Sequence, residues 1–336
     1  MIFDAFFFVS FGGPDRPEDI EPFLDNVLRG KNVPAHRKKE VVEHYMRFGG
    51  KSPINEQNQH LIEKIKQAFA RNKIDLPIYW GNRNWHPYIE DAIKAMQHDG
   101  RKRALAYFTS SFSSYSGCRQ YRENIEAACA NIVGAPEIAK LRMPFNHPQF
   151  IQAAVENIQE AYQKLLRENS EKVFLLFTAH SIPLAMSENC DYVKQLQHSS
   201  KLIAQHAGFK NFDVVYQSRS GPAHVPWLDP DVCTVLPSIK NRGYDGVLVM
   251  PLGFVTDHME VLFDLDVEAK QKAHEVGLAF SRAQAVGHHP LYVDMLVDLV
   301  KERLDESPVK KTLGDMGPWH DVCPPNCCRY IPKRPS

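Results

Sequence analysis

Two segments of the chain bring together residue types that can ligate a divalent metal and move protons. In TAHSIP, at 178–183, a single imidazole, His180, follows an apolar run (KVFLLFTA, 172–179). In GFVTDHMEVLFDLDVE, at 253–268, Glu260, Asp264 and Glu268 recur at every fourth residue, just after His258. A helix there puts the three carboxylates on roughly one face. An acidic helix start also suits the helix dipole, and a lone histidine is more often structural than functional. Two features outweigh these plainer readings. Both segments begin where an apolar strand ends, which is where open α/β sheets place their ligands. The acidic stripe is also interleaved with apolar Val261, Leu262, Leu265 and Val267, and like charges at that spacing cost stability unless they handle cations or protons. Imidazole and carboxylate without thiolate suit a divalent metal that is bound transiently and released.

Two further segments carry chemical potential. Ser10-Phe11-Gly12-Gly13-Pro14 has paired glycines after an apolar strand, but no G-x-G-x-x-G or G-K-[ST] follows. A turn in which the backbone closely approaches a flat ligand is expected rather than a nucleotide loop. Near the C-terminus, Cys323, Cys327 and Cys328 cluster in a Pro-rich stretch, without the two C-x-x-C pairs typical of structural zinc. Cys118, Cys129, Cys190 and Cys233 are scattered, and each reads as a small buried hydrophobe.

These residues need strands and helices to position them. Short apolar runs at 3–11, 77–81 and 104–109, and again at 172–179, 212–217 and 246–251, alternate with helical patterns such as 148–167 and 291–304. Continuous apolar strands alternating with helices predict an α/β fold with parallel sheets. The two halves also parallel each other. Residues 81–112 resemble 217–254, and FNHPQFIQAAVENI (145–158) resembles GHHPLYVDMLVDLV (287–300). The reading is a duplicated unit: two similar Rossmann-like domains at 1–150 and 151–310, a crevice between them, and a Cys-containing tail at 311–336. The first half carries about 30 extra residues within 12–55, a basic and polar helical insertion expected to form a lip over the crevice.

Bulk composition narrows the function classes. The chain of 336 residues is 43% hydrophobic and 24% charged, enough for a sizeable core without disulfide staples. Lys plus Arg equals Asp plus Glu at 40 each, so nothing points to nucleic acid. The N-terminal apolar run lacks a basic flank and is too short for a membrane span, so a cytoplasmic protein without stable membrane insertion is expected.

Together, TAHSIP, GFVTDHMEVLFDLDVE, SFGGPDRPEDIEPFLDNVLRG, FGGKSPIN and SSYSGCRQYREN resemble the ferrochelatase family, and the resemblance runs from residue 3 to about 304. The closest likeness is to the soluble ferrochelatases of actinobacteria and related bacteria, which implies a chelatase-like fold and Fe²⁺ inserted into coproporphyrin III rather than protoporphyrin IX. The resemblance implies that His180 and Glu260 are the metal-site and catalytic pair, with His258, Asp264 and Glu268 as a relay for iron or protons. Ser52 and Tyr121 match positions that hold the porphyrin carboxylates, with Tyr45 and Arg29 as further candidates on the lip. Some family members carry a tyrosine where this chain has Asp15, so axial ligation of product iron from that side is not expected. Several members hold a [2Fe–2S] cluster on three C-terminal cysteines and one internal one, which would here be Cys323, Cys327 and Cys328 with Cys118, or in second place Cys129. A monomer is expected, with transient contacts to neighbouring haem-pathway enzymes.

Two other readings compete. A chelatase for another metal or tetrapyrrole, such as cobalt and a corrin precursor, is disfavoured by the arginine-rich lip and the complete TAHSIP motif. A non-catalytic haem or iron carrier needs neither a proton acceptor on one face nor a carboxylate ladder on the other. Loss of free-porphyrin fluorescence on incubation with Fe²⁺ separates an enzyme from a carrier.

Overall fold

The computed structural model describes residues 3–30, 35–168, 170–222 and 224–330. Residues 31–34 of the expected lip and 331–336 of the expected tail lie outside the described residues. In the first half, β1 (Ala5–Ser10), β2 (Ile78–Asn82), β3 (Arg103–Phe108) and β4 (Glu137–Lys140) form one parallel sheet of order β2-β1-β3-β4. In the second, β5 (Val173–His180), β6 (Phe212–Gln217), β7 (Gly246–Met250) and β8 (Ala279–Arg282) repeat that order as β6-β5-β7-β8, again parallel. Every residue of β1 and β7 is buried, as strands covered on both faces must be. The sequence pattern missed β4 and β8, whose EIAK and AFSR are short, mixed edge strands without an apolar run.

The first-half helices are α1 (Ile20–Leu28), α2 (Ala35–Arg47), α3 (Ile54–Arg71), α4 (Ile89–His98), α5 (Gln120–Ala130) and α6 (Pro148–Arg167). The second half has α7 (Leu184–Ser187), α8 (Tyr192–Ala207), α9 (Val232–Asn241), α10 (Met259–Val261), α11 (Lys270–Glu275) and α12 (Pro290–Leu304). Side chains of α3, α6, α8 and α12 join one face of each sheet in a single continuous core that includes Phe6, Phe8, Ile158, Leu175, Phe177 and Leu296. The outer face of the first sheet packs on α4 and α5, and that of the second on α9 and α11. The halves thus share a central helical layer.

That layer repeats the duplication in atomic detail. His147 caps α6 and His289 caps α12, each Nδ1 accepting a backbone N–H two residues on at 3.3 Å. A proline follows each cap, where its missing N–H costs nothing. Because Nδ1 accepts, the proton sits on Nε2, which in His147 faces Asp298 of α12 at 3.6 Å and in His289 meets Glu156 of α6 at 3.0 Å. Each carboxylate stands nine residues beyond the histidine of its own helix. Burial, reinforced by Arg142, pushes His147 down to about 4, so this cap is neutral at pH 7.

The chain then returns to the first half. Fully buried Arg142 binds Glu302 of α12 through two hydrogen bonds of 2.7 and 2.8 Å and also donates to the Lys311 carbonyl. Asn146 holds the Gly317 carbonyl at 2.7 Å, Lys140 that of His320 at 3.0 Å, and Trp319 lies edge-on to Phe145. These anchors bring the tail cysteines beside Cys118. Among the described residues, no helix is long and apolar enough to cross a membrane.

Candidate active site

Three strand C-termini of the second sheet converge on one spot. His180 is the last residue of β5 and pairs in register with Gln217, the last of β6. The loop after β7 crosses directly over β5, tied by the Gly253 N–H to the Thr178 carbonyl at 3.0 Å. Only glycine fits at 253, because an added Cβ would lie 2.7 Å from both Cα and Cβ of Ala179. This close crossing sets the start of α10, and with it Glu260, opposite the imidazole. His180 Nε2 and Glu260 Oε2 are 3.5 Å apart, and both side chains are partly exposed.

The tautomer of His180 follows from its neighbour. Nδ1 lies 2.5 Å from the Ser181 carbonyl oxygen, which can only accept, so Nδ1 carries the proton. Nε2 is the ring nitrogen directed towards Glu260, placed to meet a metal or a proton. The Tyr192 hydroxyl donates to the His180 carbonyl at 3.1 Å, and Ser181 Oγ to the Leu228 carbonyl at 2.8 Å, which fixes this turn.

Beyond Glu260 the expected α-helix is a π-helical segment, Leu262–Ala269. Its wider i→i+5 turn keeps Glu260, Asp264 and Glu268 close enough to repel one another, and such segments recur at functional sites. Burial, with repulsion from Glu260 and Glu268, pushes Asp264 up to about 7, although Ser218 and Gln217 donate to its carboxylate. Burial and Asp231 raise Glu268, against the opposing pull of Arg37 and Arg47 from the lip. Burial, reinforced by His180, lowers His258 despite the opposing pull of Glu260, and its ring lies edge-on to Phe254. The stripe therefore holds one carboxyl that changes protonation near neutrality, Asp264, beside the His258 imidazole, whose charged form burial disfavours.

The lip reaches across to this stripe. Ile20, Phe23, Leu24 and Tyr45 of α1 and α2 form one cluster with Met259 of α10. His44 stacks on Phe263 at 3.6 Å between ring centroids, and Arg47 lies over the same ring. Tyr45 is buried near enough to Glu260 for that carboxylate to add to the upward shift that burial gives its hydroxyl. Arg29 does not join the group: it is exposed at the end of α1 and donates to Asn26 at 2.6 Å. Ser52 is buried against Gly13, where a Cβ would lie 2.7 Å from its own. The glycine pair is thus required by the chain's own packing. Asp15 is turned to Asn55, which donates to it at 3.0 Å. Tyr121 is buried and stacked on Phe108, with the Arg83 guanidinium over its other side at 4.9 Å.

Sequence reasoning missed Gln217, Ser218, Asp231 and Arg83. Gln217 and Ser218 had a signal, since they end the strand that should neighbour β5. Ser218 also adopts the left-handed φ of +60° that few non-glycine residues take, which aims its hydroxyl at Asp264. Asp231 and Arg83 become neighbours only through folding.

A second group gathers at the end of the first sheet. The ligand atoms of His320, Cys323 and Cys327 lie within 4.8 Å of one another. The Cys118 thiol is in hydrogen-bonding contact with that of Cys323, and Cys328 Sγ is 3.6 Å from Cys327 Sγ. Contact with Cys118, then Cys327, favours the thiolate at Cys323, with Lys140 adding its charge. Arg119 donates to the Pro325 and Cys327 carbonyls, closing the loop that bears the cysteines.

Two facing parallel sheets with chemistry at their strand C-termini define a chelatase-type architecture. The solved structure of SirB from Bacillus subtilis with Fe³⁺ shares the fold, with a TM-score of 0.55 at 10% identity over 90% of this chain and 96% of that one. The chain belongs to the ferrochelatase family, whose model matches residues 4–304. It is 54% identical over 335 residues to a ferrochelatase of Rhodopirellula baltica, covering 99% of this chain and 95% of that protein. It is 45% identical to a coproporphyrin III ferrochelatase of Mycolicibacterium smegmatis (94% of each) and 43% identical to one of Streptomyces coelicolor (99% and 95%). The protein is a ferrochelatase that inserts iron into a porphyrin in haem biosynthesis.

Proposed function

We propose that the porphyrin is coproporphyrin III and that His180 and Glu260 form the place where Fe²⁺ enters it. The observation that carries this reading is the approach of His180 Nε2 to within 3.5 Å of a carboxylate oxygen of Glu260 at the convergence of three strand ends. Two pyrrole N–H protons leave as iron enters, and the His180 imidazole is placed to accept one. Glu260 supplies a hard oxygen ligand and a second proton sink. His258, Asp264 and Glu268 then carry protons or iron along the π-helical stripe, with Asp264 near 7 able to take up and release a proton.

The residues 1–150 and 151–310 act as the two walls of the crevice, and α1 and α2 as its lip. Ser52, Tyr121 and Tyr45 are the polar groups that bind porphyrin carboxylates, with Arg29 on the outer rim. Such charge-assisted and hydroxyl contacts favour a tetracarboxylate over a dicarboxylate porphyrin. The 43–45% identity to coproporphyrin III ferrochelatases supports the same substrate. The protein works in the cytoplasm as a monomer, meeting neighbouring enzymes of the pathway transiently. Anaerobic turnover with coproporphyrin III beside protoporphyrin IX tests the assignment: a higher kcat/KM for coproporphyrin III is expected, and the reverse order rejects it.

The thiols of Cys118 in the first half and of Cys323, Cys327 and Cys328 in the 311–336 tail are the donors offered to a [2Fe–2S] cluster. The donor set fits, because soft thiolates select iron–sulfur chemistry and Lys140 supplies compensating positive charge. When bound, such a cluster cross-links the tail to the first half. Brown anaerobically purified protein with acid-labile sulfide is expected; colourless protein after reconstitution rejects the cluster.

A further inference from the structure

The π-helical segment needs holding from outside. Such helices are rare and mostly last a single turn, yet here the π-turns run through the eight residues Leu262–Ala269. Tightening to an α-helix, in which each residue turns about 100°, would swing Asp264 and Glu268 around the axis relative to Glu260. One side chain spans this stretch. Arg282 ends β8, in register with Val249 of β7, and its side chain is only 12% exposed. Its Nε and Nη2 donate to the two carboxylate oxygens of Asp266 at 2.7 and 2.9 Å. Its Nη1 donates to Asp257 at 3.0 Å.

The two carboxylates bracket the metal-site glutamate, Asp257 three residues before Glu260 and Asp266 six after it. Asp257 is anchored a second time, because its backbone N–H donates to the Gln57 side chain of α3, in the first half, at 2.8 Å. Asp264 faces the Ser218 hydroxyl while Asp266, two residues on, faces the guanidinium. Arg282 therefore ties the loop before Glu260 to the π-turn after it. Asp257 is only 13% exposed, so its pair with Arg282 is shielded from solvent and from salt. The planar fork of arginine grips two carboxylates in a fixed geometry, which a lysine ammonium does not.

We propose that Arg282 is a positioning residue for iron insertion: by clamping Asp257 and Asp266 it keeps Glu260 opposite His180 and Asp264 against Ser218. The inference rests on the iron-entry reading above and deepens it. Asp257 and Asp266 then serve as anchors, apart from the ladder of Glu260, Asp264 and Glu268.

The test uses the full-length protein in anaerobic steady-state turnover of Fe²⁺ and coproporphyrin III. Porphyrin affinity is measured alongside by fluorescence titration without metal, and the mobility of residues 257–269 by hydrogen exchange. Arg282→Gln should lower kcat by about 10²-fold, the cost of misplacing a reacting group by roughly 1 Å. Porphyrin affinity should stay unchanged and exchange across 257–269 should quicken. Arg282→Lys should recover only part of the loss. Asp266→Asn, at the more exposed arm of the clamp, should show the same pattern at smaller size and serves if Arg282→Gln does not fold. The inference is overturned if the folded variant keeps wild-type kcat and exchange, or if Arg282→Lys matches wild type, since charge alone then suffices. It is equally overturned if porphyrin affinity falls in step with kcat, the sign of general loosening. Wild-type kcat in Glu260→Gln rejects the iron-entry site itself, an outcome distinct from an idle Arg282.

Discussion

Replacing Asp264 by asparagine should flatten the pH dependence of stability between about pH 4 and 7. The carboxyl rises from 3.8 to about 7, chiefly by burial, with Glu260 and Glu268 adding to the shift. The folded state therefore keeps a proton that the unfolded chain has released throughout that window. Stability is fully present below 3.8 and is lost as pH rises through about 7. At 1.36 kcal/mol per unit, a shift of about three units amounts to roughly 4 kcal/mol across the window. Glu268 is raised as well, so the step is shared with that carboxyl. Asparagine cannot ionise, and its amide oxygen can still accept from Ser218. Urea denaturation of wild type and Asp264→Asn at half-unit intervals from pH 4.5 to 8 measures the difference. The variant should gain relative stability as pH rises, while iron insertion slows for want of a titrating relay. Parallel stability profiles for the two proteins would refute the shifted carboxyl and the proton-relay role built on it.

Other outcomes follow from packing. Gly253→Ala drives a Cβ to within 2.7 Å of Ala179, so stability should fall by about 1–3 kcal/mol and iron insertion should drop with it, read by thermal melting and turnover. Arg142→Ala leaves Glu302 buried without its partner, and chemical denaturation should show a loss of about 3–5 kcal/mol. His44→Ala removes the stacked contact that docks the lip on Phe263, worth about 0.5–1.5 kcal/mol. It should raise KM for the porphyrin by up to roughly tenfold while leaving kcat nearly unchanged, as steady-state kinetics would show.

The architecture was readable because both sheets are covered on two faces, so their central strands are unbroken apolar runs bounded by glycine, serine and proline. The duplication was readable in the paired His-Pro helix starts at 147 and 289, which the fold turns into matching caps. Edge strands β4 and β8 escaped because they need only partial burial. The i, i+4 spacing of Glu260, Asp264 and Glu268 revealed a common face, but it cannot separate an α-helix from the π-helical turn that forms. The packing reason for the glycines at 12 and 13 was not legible, because only the folded chain shows Asn82 filling the space beside the first and Ser52 and Ile54 that beside the second. His320 carried no signal of its own, since its neighbours at Cys323 and Cys327 depend on how the tail is anchored by Asn146 and Lys140.

The most direct test of the proposed iron-entry site is single-turnover insertion of Fe²⁺ into coproporphyrin III under anaerobic conditions, followed by loss of porphyrin fluorescence, for wild type and His180→Ala. His180 lies at a partly exposed strand end, so the variant should keep the wild-type circular dichroism and melting profile. With the proton acceptor gone, insertion should slow by about 10²–10⁴-fold. A folded His180→Ala protein that quenches porphyrin fluorescence at the wild-type rate would contradict the account.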